Sequence, residues 1–168
     1  MKLKNSNLEF RIISLVDQID DFNCGNPSIN NYLKQDALYD SLSRTGSTTL
    51  VFDGLELVGF VTLSRSSVPQ VDTETMIIQY LAVSSTRQVS GVGSKIIEFI
   101  TEVALSTNEN FIFLEALKDD KFELIDWYSR RGFVVADPDE LSDNFRHLVW
   151  MYINLEDEES LNKMFNEP

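Results

Sequence analysis

Short apolar runs of strand length alternate along this chain with longer stretches in which apolar residues recur every three or four positions. Leu8, Phe10 and Ile12 alternate with charged residues, which predicts a strand over 8–13 with those three on one face. Ile29, Leu33, Ala37 and Leu38 fall at helical spacing and predict one helix from Pro27 to about Leu42, with Asn26 as N-cap and proline at the first helical position. The runs 48–52 and 57–63 flank Asp53-Gly54, a strong short hairpin signal. The stretch 76–83 is apolar through its second half and predicts a central strand. Val92, Ile96, Phe99, Ile100 and Val103 then mark the core face of a helix over about 91–105. A buried strand is predicted at 111–116. From Asp119 as cap, a helix carries Phe122, Leu124, Ile125 and Tyr128 to Arg131, where Gly132 ends it. Strands over 133–136 and 147–153, joined by the polar loop 137–144, complete the series. Residues 156–168 read as a frayed acidic helix or a disordered tail.

Strands interleaved with helices, with hairpins toward each end, predict an α/β fold with a mixed central sheet. A length of 168 residues suits one domain, taken as 1–155 followed by the tail 156–168.

The chemistry concentrates between residues 79 and 105, where an apolar strand enters a glycine-bearing turn that opens onto an amphipathic helix. The first amides of a helix have no internal partners, and the macrodipole adds partial positive charge at the same end. A phosphate or diphosphate is the natural guest there. Neither familiar phosphate fingerprint is present. Ser94 precedes Lys95 where a Walker loop needs the reverse order, and Gly91-Val92-Gly93 is followed by no third glycine.

What the stretch does carry is Gln88-x-x-Gly91-x-Gly93 after the strand Tyr80-Leu81-Ala82-Val83, and then a later element Trp127-Tyr128-Ser129-Arg130-Arg131-Gly132-Phe133. In order and spacing these two elements resemble the GNAT superfamily of N-acetyltransferases, over roughly residues 47–153. The resemblance implies a mixed, mostly antiparallel sheet flanked by helices, with its central strands splayed. It implies acetyl-CoA as cosubstrate, held by Gln88, Val89, Ser90, Gly91, Val92, Gly93 and Ser94 around the diphosphate and by backbone groups of Leu81, Ala82 and Val83 along the pantetheine arm. Arg87, beside the turn, is placed to add charge to a phosphate. Tyr128 occupies the position whose hydroxyl commonly meets the coenzyme sulfur, so it is expected to be the general acid. Phe22-x-Cys24-Gly25, followed by Asn30 and Leu33, is similar to an entry segment of a GNAT branch that includes toxins acetylating aminoacyl-tRNA.

Charge bears on the acceptor. Lysine and arginine total 14 against 27 acidic residues, for a formal net charge of −13. Binding a phosphate backbone needs clustered Lys and Arg, and the longest basic run is the pair Arg130-Arg131. The charge therefore argues against nucleic acid and for a cationic amine, a small molecule or a peptide, attacking the thioester directly in a ternary complex. The toxin-type reaction and a non-catalytic acyl-CoA sensor stand as alternatives, and a homodimer is allowed for. The one cysteine, Cys24, reads as a half-buried turn residue rather than a nucleophile, and agrees with a reducing compartment. No run approaches the roughly 20 apolar residues of a membrane helix, so a cytoplasmic protein is expected. No Cys/His cluster has metal spacing, and no metal is expected. The proton acceptor stays open. The stretch 76–80 holds no carboxylate, which leaves Glu74, Glu115 or a water relay, with His147 read as a surface or core residue.

Overall fold

The computed structural model describes residues 7–69, 71–118 and 123–166. In chain order the elements are β1 (Leu8–Ile12), α1 (Pro27–Gln35), α2 (Ala37–Ser43), β2 (Ser47–Asp53), β3 (Glu56–Val68), β4 (Val71–Val83), α3 (Val92–Ser106), β5 (Phe111–Leu117), α4 (Leu124–Ser129), β6 (Val134–Val135), α5 (Asp139–Ser142), β7 (Leu148–Asn154) and α6 (Glu158–Asn166). The strand order is β1-β2-β3-β4-β5-β7-β6. Only β4 and β5 are parallel among the pairings described, so the sheet is mixed and mostly antiparallel, as expected. The chain divides into two compact units, Met1–Ser64 with Gln79–Phe99 and Arg65–Ile78 with Ile100–Pro168.

In the first unit β1 pairs with β2 from Leu8↔Asp53 to Ile12↔Thr49, and β2 returns into β3 through the two-residue turn after Asp53. The Asp53-Gly54 signal is thus a hairpin. Leu8 and Phe10 are buried as the alternation requires, but Ile12 is exposed at the strand end and Ile13 takes the core position instead. Asn26 caps α1, its side chain accepting from the amides of Ser28 (3.0 Å) and Ile29 (3.3 Å). The single helix expected over 27–42 is two helices. They meet at Asp36, whose φ of −114° departs from helical values, and α2 ends at Arg44 in the left-handed region. The break leaves the apolar stripe working: Leu33 and Ala37 are fully buried against Phe22, Leu50, Phe60 and Ala82, with Ile29 and Leu38 packed beside them. Tyr32 stacks on Tyr80 at 3.8 Å between ring centres and fixes α1 over the end of β4.

In the second unit β5 is the hub. It pairs in parallel with β4 through Met76↔Ile112, Ile77↔Phe113 and Ile78↔Leu114, and antiparallel with β7 along its whole length. The parallel ladder stops at Ile78, while β4 runs on to Val83. Ile112, Phe113, Leu114, Val149, Met151 and Ile153 are buried between the helices and form the core. Both β3 and β4 extend further than the apolar runs indicate, because the added residues, Ser64 to Ser67 and Asp72 to Thr75, are polar. Glu158–Asn166 form the helix α6, which buries Met164, whose Sδ accepts from the Thr101 hydroxyl at 2.6 Å. The expected helix ending at Arg131 is confined to α4 among the described residues. Its cap Asp119 and core residue Phe122 lie outside them.

Candidate functional site

The chain leaves β4 at Ser84, whose amide still donates to Val58 O at 2.9 Å, and turns at once. Ser85 N donates to Asn23 O at 2.9 Å and Arg87 N to Ser84 O at 2.8 Å. The Gln88 side chain then closes the turn from inside, its Nε2 donating to Cys24 O at 3.0 Å and to Val83 O at 3.2 Å. Its acceptor segment is itself fixed from α1: Asn30 Oδ1 accepts from Cys24 N at 2.9 Å, and Asn30 Nδ2 donates to Asn23 Oδ1 at 2.9 Å. Cys24 and Asn30 were legible only as a local similarity and Asn23 was not singled out, and the structure makes the three the brace of the turn.

Two residues of the turn adopt left-handed backbone, Val89 at φ 60° and Gly91 at φ 86°. For a β-branched residue that conformation is strained, and such strain gathers where a loop must hold one shape. Ser90 N donates to Arg87 O at 3.3 Å. Among the described residues the amides of Gln88, Val89, Gly91, Val92 and Gly93 donate to no protein acceptor. A Cβ built on Gly91 would meet nothing within 4 Å, so the space beside that residue is open. Free amides, open space and the start of the fifteen-residue helix α3 fit a diphosphate.

The side-chain charges nearby are already committed. Arg87 forms ion pairs with Asp53 and, at 2.9 Å, with Glu56, both at the β2–β3 hairpin; the Asp53 hydrogen bond chiefly raises its pKa. Lys95 Nζ lies 2.8 Å from Glu98. Arg87 was expected to add charge to a phosphate, but its guanidinium faces the hairpin carboxylates, because two acids within reach hold it more firmly than solvent does. The groups left free at the turn are thus backbone amides. A recess of about 820 Å³ in the same unit is lined by Ser84, Ser85 and Thr86 but also by Glu9, Asp21 and Leu55, and the free amides are not in its walls.

Leu81 and Val83 are half-buried and Ala82 is buried in the core under α1. With the residues 87–94 they lie in the first unit.

Tyr128 lies in the second unit, on α4, with its ring edge-on to Phe133 (5.6 Å) and Trp127 (4.9 Å). Burial pushes its phenol up to about 12, against a smaller opposing pull from Arg131, so it is a protonated donor at neutral pH. Trp127 packs as expected, with the Arg131 guanidinium 3.8 Å over its ring. Arg130 pairs with Asp126 at 3.2 Å, so the one basic pair of the sequence faces its own helix. Glu74 is exposed, and its carbonyl accepts from Arg65 at 3.3 Å. His147 is exposed before β7. Among the described residues no helix is long and apolar enough to cross a membrane.

A family model for the acetyltransferase (GNAT) family matches residues 16–133. No curated protein sequence matches the chain. Among solved structures, a tyrosine-to-phenylalanine variant of the AtaT toxin bound to the C-terminus of the antitoxin AtaR is similar with TM-score 0.72 and 16% identity, over 97% of this chain and 99% of that one. AtaTR bound with acetyl-CoA is similar with TM-score 0.70 and 18% identity, over 89% and 94%. AtaT complexed with acetyl-methionyl-tRNAfMet is similar with TM-score 0.70 and 13% identity, over 89% and 95%.

Proposed function

Since the chain belongs to the acetyltransferase (GNAT) family and is an N-acyltransferase that uses acetyl-CoA, we propose that its acceptor is the α-amino group of an aminoacyl-tRNA. The observation that carries this reading is the likeness, over nearly the whole of both chains, to AtaT, a protein also seen with acetyl-methionyl-tRNA. The brace adds to it, because Cys24 and Asn30, two residues of the segment that resembled the toxin branch, hold the turn through Gln88. An inhibitory partner protein belongs to the same reading, since AtaT is seen with the antitoxin AtaR.

In this reaction the free amides of Gln88, Val89, Gly91, Val92 and Gly93 hold the donor diphosphate, and the backbone of Leu81 to Val83 aligns the pantetheine arm. The amine attacks the thioester carbonyl directly, and Tyr128 supplies the proton to the departing thiolate. The thiolate of a thiol with pKa near 8.5 is a weaker base than the phenolate of a phenol near 12, so the phenol gives its proton up late, as the C–S bond breaks.

The net charge of −13 favours a second reading, in which a small or peptidic cationic amine is acetylated. On charge alone that reading ranks first; the structural neighbours reverse the order. Labelled acetyl-CoA incubated with methionyl-tRNA, and separately with a polyamine, an aminoglycoside and a lysine-rich peptide, at low and moderate salt, separates the two. Label on the charged tRNA is expected. Label on the cationic amines alone, weakening as salt rises, would establish the second reading.

A further inference from the structure

Strand β4 carries no carboxylate from Thr75 to Val83, and in the second unit β5 carries one, Glu115. Glu115 is the first residue of β5 beyond the last parallel rung, Ile78↔Leu114, and so stands at the carboxyl end of a strand where the ladder changes from parallel to antiparallel only. In open α/β sheets such ends are where ligands bind. Directly opposite it on β7 is Trp150, so the two side chains share one face, about 5 Å apart at Cβ. The indole is half-buried and packs edge-on to Phe113 at 6.3 Å, with Tyr152 next along the same face. Among the described residues the Glu115 carboxylate has no hydrogen-bond or ion-pair partner.

The backbone around this pair is fixed. Glu140, buried on α5, accepts from Trp150 N at 3.0 Å and from Arg146 at 2.6 Å, while Lys118 Nζ binds the carbonyls of Glu140 and Asp143, each at 2.8 Å. A carboxylate beside an aromatic face is the pair of surfaces an organic ammonium ion seeks.

We propose that Glu115 and Trp150 seat the ammonium group of the acceptor and that Glu115 removes its proton. The inference rests on the N-acetyltransferase reading above. The ammonium gives one proton to the Glu115 carboxylate, and the neutral nitrogen forms the C–N bond to the thioester carbon. The C–S bond breaks, the thiolate takes one proton, the nitrogen releases its second, and Glu115 returns its own to solvent, for a net release of one proton. Glu74 is the weaker candidate, two residues before the first rung at the opposite end of the ladder.

Glu115 is exposed on its strand; partial desolvation and the Glu140 charge raise its pKa, and Arg146 lowers it. The other charges on neighbouring elements are engaged elsewhere. Lys118 is turned to the loop carbonyls, Asp143 lies by Arg146, Asp126 pairs with Arg130, and Arg131 covers Trp127.

The test uses the full chain and L-methionine methyl ester as probe, followed by NMR through the indole N–H groups, with Trp127 as internal control. The Trp150 resonance should move and that of Trp127 should not; Glu115→Gln should weaken the probe at least about tenfold and Glu115→Asp retain part of the binding. Movement of Trp127 alone, or wild-type binding by Glu115→Gln, would overturn the proposal. The acidic limb of kcat/KM should move to lower pH in Glu140→Gln, to higher pH in Arg146→Gln, and vanish in Glu115→Gln. A limb unmoved by all three removes the base role. Should no acceptor be acetylated, the function proposed above fails, and the NMR arm still decides the amine seat.

Discussion

The side-chain amide of Gln88 donates to the carbonyl of Cys24 at 3.0 Å, tying the turn after β4 to a segment 64 residues earlier in the chain. The Gln88 side chain is thus engaged within the protein. It spends its donor on two carbonyls, Cys24 and Val83, and thereby shapes the row of amides that faces outward.

Gln88→Ala removes both bonds and leaves the turn to sample other shapes. Acetyl-CoA affinity should fall about tenfold, equivalent to about 1.4 kcal/mol, with the fold intact. Gln88→Glu, which sets a carboxylate against two carbonyl oxygens, should fall further. Isothermal titration of folded variants checks both, and wild-type affinity in Gln88→Ala would leave the brace without a part in donor binding.

Gly91 has a positive φ but open space around its Cβ position, so a substitution there strains the backbone without crowding the protein. Gly91→Asn, which tolerates the left-handed region, should keep most of the stability, whereas Gly91→Ala should cost about 1–2 kcal/mol in urea denaturation. Gly91→Asp adds like charge against the diphosphate, and its loss of acetyl-CoA affinity should exceed that of Gly91→Asn by at least about tenfold. Equal affinities for the two would mean that the diphosphate lies elsewhere.

Tyr128→Phe deletes one hydroxyl and keeps the ring contacts with Trp127 and Phe133. Turnover should drop by about 10²-fold with little change in donor binding, the signature of a contribution made in the transition state. Because burial holds the phenol near 12, the wild-type rate should show no alkaline loss from this group below about pH 10. Unchanged single-turnover rates in the variant would return Tyr128 to the core.

Gly132 is constrained twice. Its φ is 89°, and a Cβ would collide with the Ser160 carbonyl oxygen and sit 3.1 Å from Ile153 Cδ1. Gly132→Ala should destabilise the chain by about 1–3 kcal/mol and loosen α6 first. Hydrogen exchange should show the amides of α6 losing protection ahead of those in β5; uniform loss along the chain would argue against local undocking.

The local features were readable in the sequence because neighbours in the chain supply their physics. Asn26-Pro27 caps α1, Asp53-Gly54 turns the β2–β3 hairpin, and the apolar spacing of α3 buries Val92, Ile96 and Ile100. The turn from Gln88 to Gly93 was legible for the same reason, as an apolar strand running into glycines and then a helix. The polar extensions of β3 and β4 were not, since Ser64 to Ser67 and Asp72 to Thr75 show no apolar alternation although they lie within long strands.

By itself, then, the sequence determined the order of the strands and the place of the glycine turn after β4, whose signals span a few residues each; it ran α1 and α2 together and read α5 as part of a loop. Only the tertiary structure decided where individual side chains are spent: Arg87 on Asp53 and Glu56, Gln88 on Cys24, and Thr101 on Met164. Each of these joins residues some 30 to 60 positions apart, where chain spacing carries no period and partners are chosen by which elements pack together. The identity of Glu115 as the carboxylate at the end of the parallel ladder is of the same kind. Its register against Ile78 and Trp150 exists only once the strands have paired.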